Sequence, residues 1–154
     1  MRLRYPANNN RQLAVRAQQF AANLFMLCQA NYSRRGFYKL YLARKDTFQM
    51  TVTFVPVQHS SSSIEIICWN PVPYVDSDRS ICFSTAGQRQ TETDWFSYQA
   101  HMRLRDGKLR LYGAIEMTHQ DLRTLDSKTL RYRINSRGRA EVLPALPFER
   151  DTAQ

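Results

Sequence analysis

Apolar and basic residues alternate along the segment RLRDGKLRLY. The central pair Asp106-Gly107 favours a two-residue type I′ turn, because such a turn needs positive φ at both central residues and glycine accepts it freely. A turn at this place predicts a hairpin in which Leu104 lies opposite Leu109. The alternation predicts that these leucines are buried, and that the neighbouring Arg105 and Lys108 are exposed.

The polar face of this predicted hairpin carries several positive charges and no acid. Its members are His101, Arg103, Arg105, Lys108, Arg110 and Tyr112. Like charges that stand opposite each other on neighbouring strands are mildly destabilising, so a bound polyanion would relieve a cost that the free hairpin carries. The alternative is that the long side chains extend into water, where salt screens most of the repulsion.

The same alternation recurs in residues 130–134, which read LRYRI. If this strand lies near the hairpin, Arg131 and Arg133 extend the basic face. Basic side chains contact phosphates, and aromatic rings stack on unpaired bases. The nucleic-acid-binding residues predicted in this way are Arg103, Arg105, Lys108, Arg110, Tyr112, Arg131 and Arg133.

Apolar residues near the N-terminus recur at helical spacing. Residues 9–32 place Leu13, Ala17, Phe20, Leu24 and Leu27 on one face, with polar residues such as Gln18 on other faces. Such a helix can cover the apolar face of an antiparallel sheet. The predicted fold class is therefore α+β, with an N-terminal amphipathic helix packed on a twisted antiparallel sheet.

The remaining pattern is mostly that of strands. Alternating or β-branched runs predict strands at 37–44, 48–57, 64–69, 79–84, 98–117, 129–135 and 140–143. The prolines within residues 70–73 predict a break, and the polar segment 85–94 predicts a loop. Residues 119–125 predict a short helix with Thr118 as its cap. We expect one domain over residues 1–154: the helix at 9–32, a β-rich part at 37–143 and a short C-terminal tail.

Composition changes the picture mainly through charge. The chain of 154 residues carries a formal charge of +9, which favours an anionic partner, and nucleic acid is the commonest partner of a basic domain. No apolar stretch predicts a signal segment or a membrane span. Three widely spaced cysteines without a Cys-x-x-Cys motif predict buried, reduced thiols, no metal site and a cytoplasmic location. No motif indicates a cofactor.

Two other readings of the basic face remain open. It would also suit a structural or assembly protein that binds an acidic partner protein. A third reading is a metal-independent ribonuclease, in which His101 and Glu116 would act as acid and base beside Arg103 and Arg110. Asp76 and Asp78 have a spacing that could hold Mg²⁺, but a solvated loop is the simpler reading.

The sequence therefore favours a non-enzymatic nucleic-acid-binding protein without catalytic residues, metal or cofactor. The partner is RNA or DNA, with single strands slightly favoured because aromatic rings accompany the charge. No membrane contact is expected, and a homo-oligomer stays open. The origin that we expect for such a small basic protein is a virus, a phage or a mobile element.

Overall fold

The computed structural model of the chain describes residues 7–28, 36–41, 49–56 and 63–144. Its first element is the helix α1 (Ala7–Cys28). Within the described ranges the strands are β1 (Gly36–Tyr41), β2 (Gln49–Pro56), β3 (Ile64–Trp69), β4 (Val72–Val75), β5 (Ile81–Gln90), β6 (Asp94–Arg105), β7 (Lys108–Leu111), β8 (Ile115–Asp121), β9 (Ser127–Ile134) and β10 (Ala140–Val142). None of the helical residues described forms a segment long and apolar enough to cross a bilayer.

These strands form one antiparallel sheet with the order β1-β2-β3-β5-β6-β8-β9-β10. The short strands lie off this path, β4 beside β5 and β7 beside β6. The helix α1 contacts β5, β6, β8 and β10. The predicted fold class, one helix packed on an antiparallel sheet, is thus confirmed. We call the side of the sheet under α1 the helix face and the opposite side the outer face.

The core lies between α1 and the helix face. Its largest fully buried apolar side chains are Phe25, Met26, Phe54, Ile66, Phe83, Met102 and Ile115. Strand residues contribute to this core at alternate positions, as the pleat of a half-exposed sheet requires. Removal of this apolar surface from water is the main force that holds the helix on the sheet.

The buried stripe of α1 differs from the predicted one. Gln18 is fully buried, whereas Phe20 is 38% exposed. The Gln18 side-chain amide donates to the carbonyl oxygens of Trp69 and Ala86 at 2.7 and 2.9 Å. Its oxygen accepts a hydrogen bond of 3.1 Å from the Tyr98 hydroxyl. Because its donors and its acceptor are all bonded, this amide is tolerated in the core and fixes where the helix crosses the sheet.

A glycine makes room for the tyrosine in this network. Gly87 on β5 lies opposite Tyr98 on β6. A Cβ atom at position 87 would lie 2.5 Å from the Tyr98 ring, which is far inside van der Waals contact. The Tyr98 ring can therefore lie flat against the backbone of β5 only where residue 87 has no side chain.

Three predicted segments differ from the structure. Residues 85–90 are not a loop but continue β5, so that only residues 91–93 form the turn into β6. The short helix predicted at 119–125 is wrong, because β8 runs to Asp121 and a turn follows. The break predicted at 70–73 is partly wrong, since Pro73 lies within β4. A proline is tolerated there because β4 pairs only with β5 among the described strands, and prolines are accepted on edge strands.

The other predicted elements agree with the structure within a few residues. The helix predicted at 9–32 begins at Ala7, and its predicted end lies outside the described residues. The strands predicted at 37–44 and 48–57 are antiparallel neighbours over Gly36–Tyr41 and Gln49–Pro56, and the turn predicted between them lies outside the described residues. The strand predicted at 140–143 pairs with β9, as expected from the turn before it. The predicted C-terminal tail lies almost wholly outside the described residues.

Candidate nucleic-acid interface

The hairpin between β6 and β7 has the predicted register. Leu104 lies opposite Leu109, and the next pair toward the turn is Arg105 with Lys108. Asp106-Gly107 has φ values of 52° and 74°, which are those of a type I′ turn. The two basic residues are exposed as predicted, whereas the two leucines are only half-buried. The alternation therefore predicts correctly to which face of the sheet each side chain points. It does not predict how deeply the two leucines are buried.

Two other turns lie at the same end of the sheet as this hairpin tip. Ile81 begins β5 and pairs with Leu104 near the end of β6, so the turn before β5 lies beside the tip. Strands β6 and β9 run in the same direction, because both are antiparallel to β8. The turn from β9 to β10 therefore lies at this end as well. We call this part of the molecule, made of the three turns and β7, the basic end.

The basic end carries exposed cations from all three turns. They are Arg79, Arg105, Lys108, Arg110, Arg137 and Arg139. None of them forms an ion pair with an acidic residue of the described chain. The tip of the hairpin also holds the exposed acid Asp106, so the cations outnumber the free acids here. This end can therefore offer several positive charges to a ligand at once.

Arg103 differs from its neighbours, because it already has acidic partners. Its guanidinium forms an ion pair with Asp76 and lies 3.7 Å from the carboxylate of Asp78. Its side chain is only 19% exposed. The predicted role of Arg103 in phosphate binding would require breaking these contacts. Arg103 instead ties β6 to the turn before β5, and so supports the basic end from within.

The acids that hold Arg103 are also fixed in their own turn. Asp76 accepts backbone hydrogen bonds from Asp78 and Ser80, at 3.1 and 3.0 Å. Its second oxygen receives the bond from Arg103. Cys82 is fully buried beneath this pair on the outer face. Neither the Mg²⁺ site nor the solvated loop considered from sequence describes this arrangement, because the carboxylates are used within the protein.

Tyr112 stands at the side of the basic end and is 41% exposed. Its backbone amide donates to the carbonyl of His101 at 2.7 Å, which continues the predicted pairing of the hairpin. The guanidinium of Arg103 lies over its ring, 3.9 Å from the centroid. This cation–π contact covers one ring face, so a base could stack only on the other face.

The two arginines of β9 lie on the outer face, as predicted, but each is close to an acid. Arg131 lies directly opposite Glu116 on β8. Arg133 forms a 2.9 Å ion pair with Glu141 on β10. Asn135 and Arg133 donate hydrogen bonds that lower the pKa of Glu141, so this acid remains a carboxylate. These arginines therefore contribute less free charge than the sequence indicated.

The pair proposed for ribonuclease chemistry is not assembled as the sequence indicated. Glu116 lies opposite Gln99, two residues before His101 on β6, whereas the pair Arg103–Arg110 comes two residues after His101, so these arginines do not lie between them. A ring nitrogen of His101 contacts the Tyr74 hydroxyl at 3.2 Å.

Sequence reasoning missed part of the basic end. Arg137 and Arg139 were seen only as turn residues, and Arg79 was not singled out. Their positions in turns are readable from sequence, since Asp-Ser-Asp and Asn-Ser-Arg-Gly are turn-forming stretches. That these turns lie at the same end of the sheet as the hairpin tip depends on the order of strands, which no local pattern gives.

The opposite end of the sheet contains the turns 91–93 and 122–126 and carries most of its charge as acid. We call it the acidic end. Asp94 and Asp121 lie opposite each other there. Each has a close partner: Nε2 of His119 lies 2.7 Å from Asp94, and the guanidinium of Arg123 lies 3.1 Å from Asp121. Hydrogen bonds from Arg123 lower the pKa of Asp121 to about 2.

Comparison of the chain with protein-family models, with curated proteins and with solved structures finds no match. The description of the site therefore depends on its residues and their geometry.

Proposed function

We propose that the protein binds nucleic acid through its basic end and does so without catalysis. The observation that carries this proposal is the convergence of three turns that present exposed cations without acidic partners among the described residues. A phosphate backbone offers closely spaced negative charges, and each contact releases a condensed counterion. Several cations on one rigid edge can therefore act together.

The roles of the predicted residues differ within this proposal. Arg105, Lys108 and Arg110 contact phosphates from the hairpin, since they are exposed and share one side. Arg103 positions the hairpin through Asp76. Arg131 and Arg133 lie beyond the main contact, because acids lie beside them. Turn residues from the neighbouring strands extend the line of positive charge.

Tyr112 supports a preference for single strands, either RNA or DNA. Its ring is exposed and borders the cations, and a base can stack on it only when the base is unpaired. An assembly protein that binds an acidic partner would need the same cations but would have no use for this ring. The response of Tyr112 variants therefore separates the two functions.

A matched pair of variants tests the proposal. Arg105→Gln with Arg110→Gln removes two charges from the basic end, and Arg16→Glu removes the same net charge from an exposed position of α1. Fluorescence anisotropy with a labelled single-stranded oligonucleotide should show weaker binding by the double variant. For single strands, the plot of log affinity against log salt concentration has a slope of roughly −0.7 per phosphate contact. Loss of two contacts should therefore make this slope shallower by about 1.4.

The control Arg16→Glu should bind like the parent protein. Equal losses in both variants would mean that net charge alone governs binding and that the basic end is not a site. No binding of either RNA or DNA by the parent protein, at low salt, would contradict the proposed function itself.

A further inference from the structure

A small groove lies on the outer face of the sheet, which α1 does not cover. Its volume is about 240 Å³, and its lining comes from β3, β5, β6 and β8. Trp69 forms one wall, and Gln99 and Glu116 form the opposite wall. The volume is below the roughly 300–1,000 Å³ of typical small-molecule sites, so the groove suits a single planar ring system.

The walls of the groove belong to one row of side chains across the sheet. Ala86 on β5 pairs with Gln99 on β6, and Gln99 pairs with Glu116 on β8. The pairing of β3 with β5 places Trp69 beside Ala86, at the end of this row. Residues directly opposite each other point to the same face of a sheet. Because Ala86 is the smallest member of the row, a gap is left between Trp69 and the two polar side chains.

Trp69 offers an aromatic surface to a ligand. Its side chain is 36% exposed, although it stands on a strand inside the sheet. None of the aromatic rings in the described ranges stacks on it. Unpaired bases stack on such rings whatever their identity, so Trp69 supplies affinity for a base without choosing among bases.

The polar wall has the groups that distinguish one base from another. Gln99 and Glu116 are exposed, and neither side chain forms a hydrogen bond or an ion pair within the described ranges. Arg131 lies on the far side of Glu116 and forms no ion pair with it. The carboxylate only accepts hydrogen bonds, whereas the amide also donates them. Since directly opposite residues have Cβ atoms about 4.5–5.5 Å apart, both groups can contact one base edge.

Guanine is the base whose edge matches these two groups. Its Watson–Crick edge presents two adjacent donors, N1–H and the 2-amino group, beside the acceptor O6. A carboxylate accepts from both donors, and an amide donates to O6. Adenine and cytosine have one amino donor next to a ring-nitrogen acceptor, and uracil and thymine have one ring N–H between two carbonyls. Each of these bases would place an acceptor against the carboxylate of Glu116.

We propose that the groove binds one unpaired guanine of the nucleic acid that the basic end holds. The base stacks on Trp69, Glu116 accepts hydrogen bonds from N1–H and the 2-amino group, and Gln99 donates to O6. This inference rests on the proposed nucleic-acid binding and adds a sequence preference to it.

The groove lies within reach of a strand bound at the basic end. Arg110 lies opposite Arg103, which is four residues after Gln99 on β6 and on the same face. At about 3.4 Å per residue, the two positions are about 14 Å apart. About four stacked nucleotides, at 3.4 Å each, span this distance. Tyr112 lies between the two positions, beside His101.

Inosine separates guanine recognition from binding that ignores sequence. Inosine keeps N1–H and O6 but lacks the 2-amino group, so it loses one hydrogen bond to the carboxylate. The probes are labelled oligouridylates with one central guanosine or inosine, and oligothymidylates with the deoxy counterparts. Fluorescence anisotropy at low salt should show about tenfold tighter binding of the guanosine probes, because a hydrogen bond to a charged group is at stake.

Two variants of equal charge locate this contact. Glu116→Gln removes one of the two acceptors, so the ratio of guanosine to inosine affinity should fall close to one. Glu65→Gln removes the same charge from another exposed position of the outer face and should leave the ratio at about ten. The ratio is the quantity compared, because loss of a negative charge strengthens the binding of every oligonucleotide.

The indole N–H signals of the two tryptophans show where the base binds. Trp95 also lies on the outer face, where its indole donates to Gln88 at 3.3 Å, and it serves as the internal reference. Trp95→Phe assigns the two signals. On addition of a guanosine probe, the Trp69 signal should shift and the Trp95 signal should stay in place.

The outcomes distinguish this inference from the proposed function. Equal affinities for guanosine and inosine, a ratio that survives Glu116→Gln, or a Trp69 signal that does not move would each overturn guanine binding and leave the basic end as a nucleic-acid site. No binding of any probe at low salt would contradict the proposed function, and guanine binding with it.

Discussion

Both ends of the sheet place like charges opposite each other on neighbouring strands, but the surroundings of these charges differ. At the acidic end Asp94 lies opposite Asp121, and at the basic end Arg105 lies opposite Lys108. Each such pair of like charges is mildly destabilising. Each of the two acids lies close to a side chain at the same end, His119 or Arg123, whereas the two cations of the hairpin have no acidic partner in the described chain.

This difference shows how the charges of the described residues are distributed between the two ends of the sheet. A formal charge of +9 could be spread evenly, in which case it would favour solubility and little else. Among the described residues, six exposed cations at the basic end have no acidic ion-pair partner, whereas Asp94 and Asp121 at the acidic end each have a close partner. Unpaired cations retain their full attraction for an external polyanion, and paired ones must first give up a partner. The basic end is therefore the surface on which a phosphate backbone gains most.

The largest expected effect comes from removing charge from all three turns together. A variant with Arg79→Gln, Arg105→Gln, Arg110→Gln and Arg139→Gln should bind single strands with a salt slope shallower by about 3, at roughly 0.7 per contact. All four residues are exposed, so the melting temperature should stay close to that of the parent protein. Anisotropy titrations over a series of salt concentrations measure the slope. A slope that stays unchanged would remove the distinction between the two ends.

Two variants that break the ion pair between Arg103 and Asp76 should both lower stability, but they should affect nucleic-acid binding differently. Asp76→Asn frees Arg103 and removes a negative charge from this end, so nucleic-acid affinity should rise severalfold. Arg103→Gln removes a cation that is already paired, so affinity should change little. Both variants lose the same ion pair and should melt at lower temperature, as scanning calorimetry would show. A large loss of affinity in Arg103→Gln would mean that this arginine contacts the ligand directly.

Replacing the aromatic ring should separate the kinds of nucleic acid. Tyr112→Leu keeps an apolar side chain but cannot stack, which typically costs about 1–3 kcal/mol per base. We expect weaker binding of single strands and unchanged binding of duplexes, measured side by side at one salt concentration. Val142→Leu, at another exposed apolar position, serves as the control. An equal loss for both nucleic acids would argue against stacking on this ring.

The smallest effect is expected at the acidic end. Arg123→Gln removes the partner of Asp121 and should slightly lower the melting temperature near pH 7, with no change in nucleic-acid affinity. The folded-state pKa of Asp121, about 2, lies below that of an unfolded aspartate. Its stabilising contribution is therefore present above about pH 4 and is lost as the pH falls toward 2. The melting temperatures of variant and parent should converge over that range; a constant difference would contradict the pairing.

Local features of the fold were readable from the sequence where local rules determine them. The Asp106-Gly107 turn fixed the register of β6 and β7, because only a few residue pairs accept positive φ twice. The spacing of apolar residues predicted that α1 is a helix, but it did not predict which side of the helix faces the sheet. The buried Gln18 counts as polar in any pattern, and its place in the core follows from carbonyls on distant strands.

Features that depend on distant partners could not be read in this way. The segment 85–94 is polar and contains a glycine, yet most of it is strand because β6 pairs along its whole length. The partner of Arg103 lies 27 residues away in a turn, so the sequence showed the cation without its acid. The groove beside Trp69 likewise collects residues from four strands. The strand at 85–90, the ion pair of Arg103 and the groove all depend on the order of strands in the sheet, which the composition of the chain does not determine.

We propose that one end of the sheet binds nucleic acid and that the other does not. Backbone amide shifts of the labelled protein, recorded with increasing amounts of a single-stranded oligonucleotide, test this most directly. We predict that the shifts move at Arg79, Gly107 and Gly138, in the three turns of the basic end, while those of Thr93 and Thr124 at the acidic end stay in place. Shifts that are larger at Thr93 and Thr124, or equal at both ends, would contradict the account.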